Sequence, residues 1–91
     1  MEFDDSLIKD VLDHADIAKI IGSFIPVIKV GKSYKAKCPF HDDTTPSMMI
    51  SPEKKIFKCF VCGHGGSAIS FVQQYLHISF FEAMKKVAEL S

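Results

Sequence analysis

Apolar positions recur at helical spacing near both ends of the 91-residue chain, and short β-like runs fill its middle. Residues 5–24 form two predicted helices, and Asp16 is the predicted N-cap of the second. Residues 67–90 form two more predicted helices, and Ser79 with Glu82 makes the S-x-x-E capping box of the last one. The pattern therefore predicts helices on both sides of a central β region.

The central β region spans residues 26–63. It contains four β-like runs, IPVIKV, GKSYKAKC, SMMIS and KIFKCF, with predicted turns at residues 31–33 and 51–54. A chain of 91 residues supports one modest core. We therefore expect an α+β fold in a single domain over residues 1–91, with a small antiparallel sheet flanked by N- and C-terminal helices.

The overall composition points to a soluble protein. Apolar residues make up 47% of the chain, and no apolar run reaches the roughly eighteen residues that a membrane span requires. The first ten residues are acidic and lack the basic-then-apolar order of a signal peptide. We therefore expect a cytoplasmic protein with no membrane partner, whose thiols stay reduced and are available to a metal.

The net charge is zero, but charge is unevenly distributed along the chain. Residues 1–25 carry six acids and two lysines, giving −4, whereas residues 26–60 carry seven lysines and three acids, giving +4. A basic middle attracts phosphate. Because all eleven basic residues are lysines, this segment suits contact with a nucleic-acid backbone better than bidentate reading of bases.

Two residue pairs of metal-ligand type lie in the β region. Cys38 and His41 are separated by two residues, as are Cys59 and Cys62, and seventeen residues lie between the pairs. Three cysteines and one histidine are a usual ligand set for a closed structural zinc site. Gly63 can take the left-handed conformation that closes the second turn. We predict one structural Zn²⁺ held by these four ligands in a zinc-ribbon layout.

Other uses of these side chains remain as alternatives. The C-x-x-C pair could form a redox-active dithiol or a disulfide, although the surrounding pattern lacks the longer parallel sheet of a thioredoxin-like fold. His64 could compete as the fourth ligand, but only His41 completes a pair with two-residue spacing. The adjacent carboxylates at residues 42–43 fit a turn beside the metal better than a catalytic pair. We identify no catalytic residue.

The segments around the ligands resemble a known family. CPFHDDTTPS, followed by KKIFKCFVCGHGG and AISFVQQYLHISFFEAMKKVAEL, is similar to the N-terminal zinc-binding domain of bacterial DNA primases, a CHC2-type zinc ribbon. Upstream, VLDHADIAKIIGSFIPVIKVGKSYKAKCPFH matches the family's opening helices and its basic glycine turn. The resemblance covers roughly residues 6–90, and its combined motifs are far more specific than a lone C-x-x-C.

The resemblance implies a fold and a function. The implied fold is a five-stranded antiparallel zinc ribbon with flanking helices. The implied function is to help a primase engage single-stranded DNA template and choose start sites for RNA primers during replication. In that family a separate catalytic domain performs the nucleotidyl transfer, in cis or in trans, and a further region binds the replicative helicase. We therefore expect the N-terminal fragment of a longer DNA primase that is not catalytic by itself.

Two positions depart from the family pattern. Thr44 stands where the family usually has a lysine before T-P-S, which puts a phosphate contact there in doubt. Met48 stands where the family usually has an aromatic residue. A thioether is a weak partner for base stacking but fills a core position readily.

Candidate DNA contacts come from lysines and aromatic rings of the β region. Lys32 is the leading candidate because it matches the family's basic turn. The other candidates are Lys29, Lys35, Lys55, Tyr34 and Phe57. Strand alternation places Lys55 and Phe57 on one face and Lys58 on the other. Lysines at a sheet edge often only confer solubility, and core packing of the two rings competes with base stacking.

Two other functions fit a zinc ribbon. A protein-docking module would require an exposed apolar patch, and a redox or metal-sensing switch would require reactive thiols and a labile metal. The net charge of +4 on residues 26–60 favours nucleic-acid binding over both.

Overall fold

Two helices, a five-stranded sheet and two further helices follow one another in the part of the chain that the structure describes. The structure is a computed structural model that describes residues 5–40 and 46–90, with side chains from residue 8 onward. The elements in chain order are α1 (Asp5–His14), α2 (Ile17–Gly22), β1 (Ile28–Val30), β2 (Ser33–Ala36), β3 (Met48–Ser51), β4 (Ile56–Cys59), β5 (Gly65–Gly66), α3 (Ala68–Leu76) and α4 (Phe80–Leu90). None of these helices has the length and apolar character needed to cross a membrane.

Side-chain caps fix where the helices begin, as their sequences predict. The Asp16 carboxylate accepts a hydrogen bond from the Lys19 backbone N–H at 3.2 Å, which satisfies one donor of the first turn of α2. The Ser79 hydroxyl accepts from the Glu82 N–H at 3.2 Å in the same way for α4. The Asp16 cap is therefore confirmed, as is the Ser79 half of the predicted capping box.

The five strands form one antiparallel sheet in the order β1-β2-β3-β4-β5. This confirms the predicted five-stranded sheet with helices at both ends. The last strand lies beyond residue 63, where the sequence predicted the ribbon to end. Glycine has low strand propensity, so pairing with β4 creates this strand. A Cβ at Gly65 would lie 2.9 Å from the Phe57 carbonyl oxygen, so this close approach requires glycine.

The sheet has one largely buried face and one face whose side chains are exposed or half-buried among the described residues. Paired residues share a face in an antiparallel sheet, so the register assigns each row of side chains. The inner rows are Lys29–Tyr34–Ile50–Phe57 and Ala36–Met48–Cys59. The outer rows are Ile28–Lys35–Met49–Lys58 and Val30–Ser33–Ser51–Ile56. We call this second set the outer face.

The core lies between the inner rows and the helices. Phe71 of α3 is fully buried, and its ring centroid lies 5.4 Å from that of Phe57 and 6.2 Å from that of Phe24. Burial of a side chain of this size stabilises the fold by about 1.5–3 kcal/mol. Met48 is also fully buried. The position where the family usually has an aromatic residue is thus a core position in this chain.

Candidate metal centre and nucleic-acid interface

Three cysteine thiols converge at one end of the sheet. Cys59 ends β4, Cys62 follows it by three residues, and Cys38 lies two residues beyond the end of β2. The three sulfur atoms all lie within 4.8 Å of one another, and the Sγ atoms of Cys38 and Cys62 are 3.5 Å apart. These are all the cysteines of the chain, and none forms a disulfide. The alternative of a Cys59–Cys62 disulfide therefore has no support.

Backbone hydrogen bonds close the turn that carries the second pair. The Gly63 N–H donates to the Cys59 carbonyl at 3.1 Å, and the Cys59 N–H donates to the His64 carbonyl at 2.8 Å. Gly63 has φ +82°, the left-handed conformation that its position predicts. The turn thereby directs two thiols toward the same point.

The surroundings act differently on the two buried thiols. Burial raises the pKa of Cys38 to about 12, and the thiols of Cys62 and Cys59 add to that rise. Burial also raises the pKa of Cys59, but hydrogen bonds from the Cys62 N–H, the Ser47 hydroxyl and other donors outweigh it and lower the value to about 6. Of these two thiols, Cys59 is therefore the one that more readily loses its proton to bind a cation as thiolate.

The three thiols fit a zinc ion. With Zn–S distances of about 2.3 Å, tetrahedral geometry separates neighbouring sulfur ligands by about 3.8 Å. The Cys38–Cys62 sulfur distance of 3.5 Å lies just below that value, and none of the three sulfur–sulfur distances exceeds 4.8 Å. Bound zinc would cross-link the segment after β2 to the end of β4 rather than supply reactivity. The predicted fourth ligand, His41, lies outside the described residues, as does Thr44.

His64 lies beside the thiols without joining their cluster. Its Nδ1 atom is 3.1 Å from the Cys62 Sγ, yet it is not among the residues whose ligand atoms all lie within 4.8 Å of one another. A zinc ligand would have to approach all three sulfur atoms. This geometry favours a contact with one thiol over direct coordination.

The structure separates the predicted lysines into different environments. Lys32 lies exposed on the two-residue turn between β1 and β2, after Gly31 with φ +64°. Lys35 is half-buried on the outer face, between Ile28 and Met49 in the register. Lys29 is exposed on the edge strand β1, but it belongs to an inner row.

Lys55 is held by the first helix. Its Nζ donates to the Asp13 backbone carbonyl at 2.7 Å and lies 3.8 Å from the Asp13 carboxylate. Lys55 also lies in the turn before β4, at φ +58°, so strand alternation does not decide its direction. A phosphate would have to displace this contact to bind there.

The two predicted rings belong to the core side. Phe57 is 1% exposed and packs edge-on against Phe71. Tyr34 is half-buried and packs against the same core. A base could stack on Phe57 only if the core opened, so Phe57 does not belong to the accessible surface.

Sequence reasoning missed one residue on the outer face and one beside it. Lys58 is exposed and pairs with Met49 and Gly65, so it shares a face with Lys35. Phe60 is 71% exposed and helps to line a shallow depression of about 140 Å³ with Met49 and Lys58. Strand alternation already predicted that Lys58 points away from Phe57. Assigning Phe57 to the core would therefore have placed Lys58 on the exposed face.

A short five-stranded ribbon with thiols clustered at one end defines a zinc-ribbon type of metal-binding domain. The chain belongs to the CHC2 zinc finger family, whose model matches residues 3–91.

The relatives of the chain are DNA primases. The chain is 45% identical over 87 residues to the DNA primase of Listeria monocytogenes and 51% identical over 74 residues to that of Aquifex aeolicus. These matches cover 96% and 81% of the chain, but only 14% and 15% of the relatives. The crystal structure of the Aquifex aeolicus primase zinc-binding and RNA polymerase domains matches with a TM-score of 0.85 at 47% identity, over 91% of the chain and 21% of that chain.

Proposed function

We propose that the chain is the template-engaging zinc domain of a DNA primase and that its outer face binds single-stranded DNA. One Zn²⁺, held by Cys38, His41, Cys59 and Cys62, serves a structural role. The observation that carries the proposal is the outer row in which Lys35 and Lys58 flank Met49.

The outer face offers both components of a single-strand site. Neighbouring strands lie about 4.8 Å apart, so the strand positions of Lys35 and Lys58 are about 10 Å apart, and their long side chains can reach successive phosphates. Strands β1 to β4 contain three lysines and no acidic residue. Phe60 and Met49 beside them can contact unstacked bases. Lys32 extends this surface at the first turn.

The rest of the proposed activity lies in other parts of the protein. In this proposal, RNA-primer synthesis belongs to a catalytic domain and helicase binding to a further region, both outside the present sequence. The Aquifex aeolicus primase structure, which contains a zinc-binding and an RNA polymerase domain, supports that division. The zinc domain contributes template contact and start-site choice, acting on its own catalytic domain or on that of a neighbouring primase, in the cytoplasm.

The proposal is tested by measuring binding of a fluorescent single-stranded 16-mer to the zinc-loaded domain at several salt concentrations. The variant carries Lys35→Ala with Lys58→Ala, and the matched control carries Lys85→Ala with Lys86→Ala, two exposed lysines of α4. Each phosphate contact on a single strand contributes about 0.7 to the salt slope. Affinity falls as salt rises from 50 to 200 mM. Because two contacts are missing, the fold-loss of affinity over this range should be about seven times smaller for the outer-face variant than for wild type. Equal slopes for both variants would contradict the proposal.

Protein docking is the second candidate function, and exposed apolar side chains favour it. Ile28, Ile56 and Phe60 on or beside the outer face are 52%, 44% and 71% exposed, and Val61 is 68% exposed. If wild type binds no single-stranded DNA even at 20 mM salt, but binds the separately produced catalytic domain of a primase, docking replaces template contact as the function of this face.

A further inference from the structure

His64 contacts both halves of the candidate zinc site. Its ring stacks on Phe40, with centroids 4.8 Å apart and an interplanar angle of 25°, and Phe40 lies two residues after Cys38. Its Nδ1 lies 3.1 Å from the Cys62 Sγ, and its carbonyl accepts from the Cys59 N–H at 2.8 Å. Two side-chain contacts and one backbone hydrogen bond therefore hold His64 in place, although its side chain is exposed.

Cys62 is the thiol that most needs such a neighbour. Cys38 and Cys59 are buried, whereas Cys62 is only half-buried. When Cys62 binds zinc it is a thiolate, which accepts hydrogen bonds but donates none. The neighbouring His64 Nδ1 must then donate its hydrogen to the sulfur.

Given the proposed zinc site, on which this inference rests, we propose that His64 is a positioning residue that holds the Cys62 thiolate toward the metal. The Nδ1–H donates to Cys62 Sγ, and the stack on Phe40 keeps the imidazole from rotating away. The hydrogen bond also spreads negative charge from a site with three thiolates, and the ring covers the most accessible sulfur. His64 is thus not the fourth ligand.

Three variants of His64 separate the hydrogen bond from the stacking. His64→Ala removes both, His64→Phe retains a ring without a donor, and His64→Asn retains an N–H near the position of Nδ1. The matched control is His14→Ala, since His14 is exposed on α1 and its Nδ1 contacts the Asp10 carbonyl of the same helix. Each protein is loaded with zinc, and its zinc affinity is measured by competition with a chromophoric chelator.

Loss of a hydrogen-bonding neighbour typically weakens metal binding by about tenfold to a hundredfold. We expect losses of that size for His64→Ala and His64→Phe, recovery to within about threefold of wild type for His64→Asn, and no change for His14→Ala. Peptide mapping of the zinc-loaded variants after brief alkylation should show faster modification of Cys62, ahead of Cys59. That selectivity distinguishes positioning from general destabilisation.

Three results would overturn the proposal. Wild-type affinity in His64→Ala would show that the contact contributes nothing, and wild-type affinity in His64→Phe would assign the effect to stacking. A loss in His64→Ala far above a hundredfold, with no recovery in His64→Asn and none of that loss in His41→Ala, would make His64 the ligand. If wild type itself bound no zinc, the proposed zinc site would fail and this inference with it.

Discussion

Phe57 and Phe60 are three residues apart, and the structure assigns them opposite roles. Phe57 is 1% exposed, with its ring centroid 5.4 Å from that of Phe71 and 6.2 Å from that of Phe40, whereas Phe60 is 71% exposed. Replacing a buried phenylalanine by alanine costs about 3–5 kcal/mol, because a cavity remains and ring contacts are lost. A 91-residue domain has roughly 5–14 kcal/mol of stability in total, so Phe57→Ala should remove about a fifth or more of it.

The assay is urea unfolding of the zinc-loaded domain followed by circular dichroism. With a slope of about 1.5 kcal/mol per M, Phe57→Ala should lower the midpoint by about 2–3 M. The matched Phe60→Ala should change stability by no more than about 0.5 kcal/mol and instead weaken single-stranded DNA binding. A stable Phe57→Ala with lost DNA binding would refute the core assignment and return Phe57 to the DNA-binding surface.

Three further predictions concern the cap, the metal turn and the metal itself. Asp16→Ala should lower the free energy of unfolding by about 1 kcal/mol, while Asp16→Asn should retain most of it, as measured by urea unfolding. Gly63→Ala should cost about 1–2 kcal/mol because φ is +82°, and should weaken zinc binding in a chelator competition. Gly22→Ala, whose added methyl meets only an ordinary 3.5 Å contact with Val27, should do neither. Removing the metal with a strong chelator should lower the melting temperature, and adding zinc back should restore it.

The order of helices and strands could be predicted because each signal was local. Apolar spacing, the Asp16 and Ser79 caps and the turns depend on neighbours a few residues away. β5 could not be predicted, since two glycines carry no strand signal and become a strand only through pairing with β4. The spacing of the cysteines predicted their convergence for a different reason: a hairpin whose ends carry both pairs brings them together.

Which of the candidate DNA contacts lie on an accessible surface was harder to predict, because it depends on which face the helices cover. Alternation correctly separated Phe57 from Lys58, but the sequence alone did not say which of the two faced the core. Lys55 was misplaced for a similar reason, since its left-handed φ removes it from the strand and a distant contact with Asp13 holds its ammonium group. The covered face of the sheet and the direction of Lys55 both depend on tertiary contacts that local patterns do not encode.

The metal and the core stabilise different parts of the sheet, and this division leaves the outer face available. Strands of two to four residues are too short to be stable as isolated hairpins. The helices pack against the inner rows, whereas Cys38 and Cys62 lie beyond the ends of β2 and β4, where a bound metal would join the two segments. Zinc at that end would supply the cross-link without occupying the outer face. The core then does not depend on outer-face side chains such as Lys35, Met49 and Lys58. Substitutions there should alter ligand binding while the fold persists.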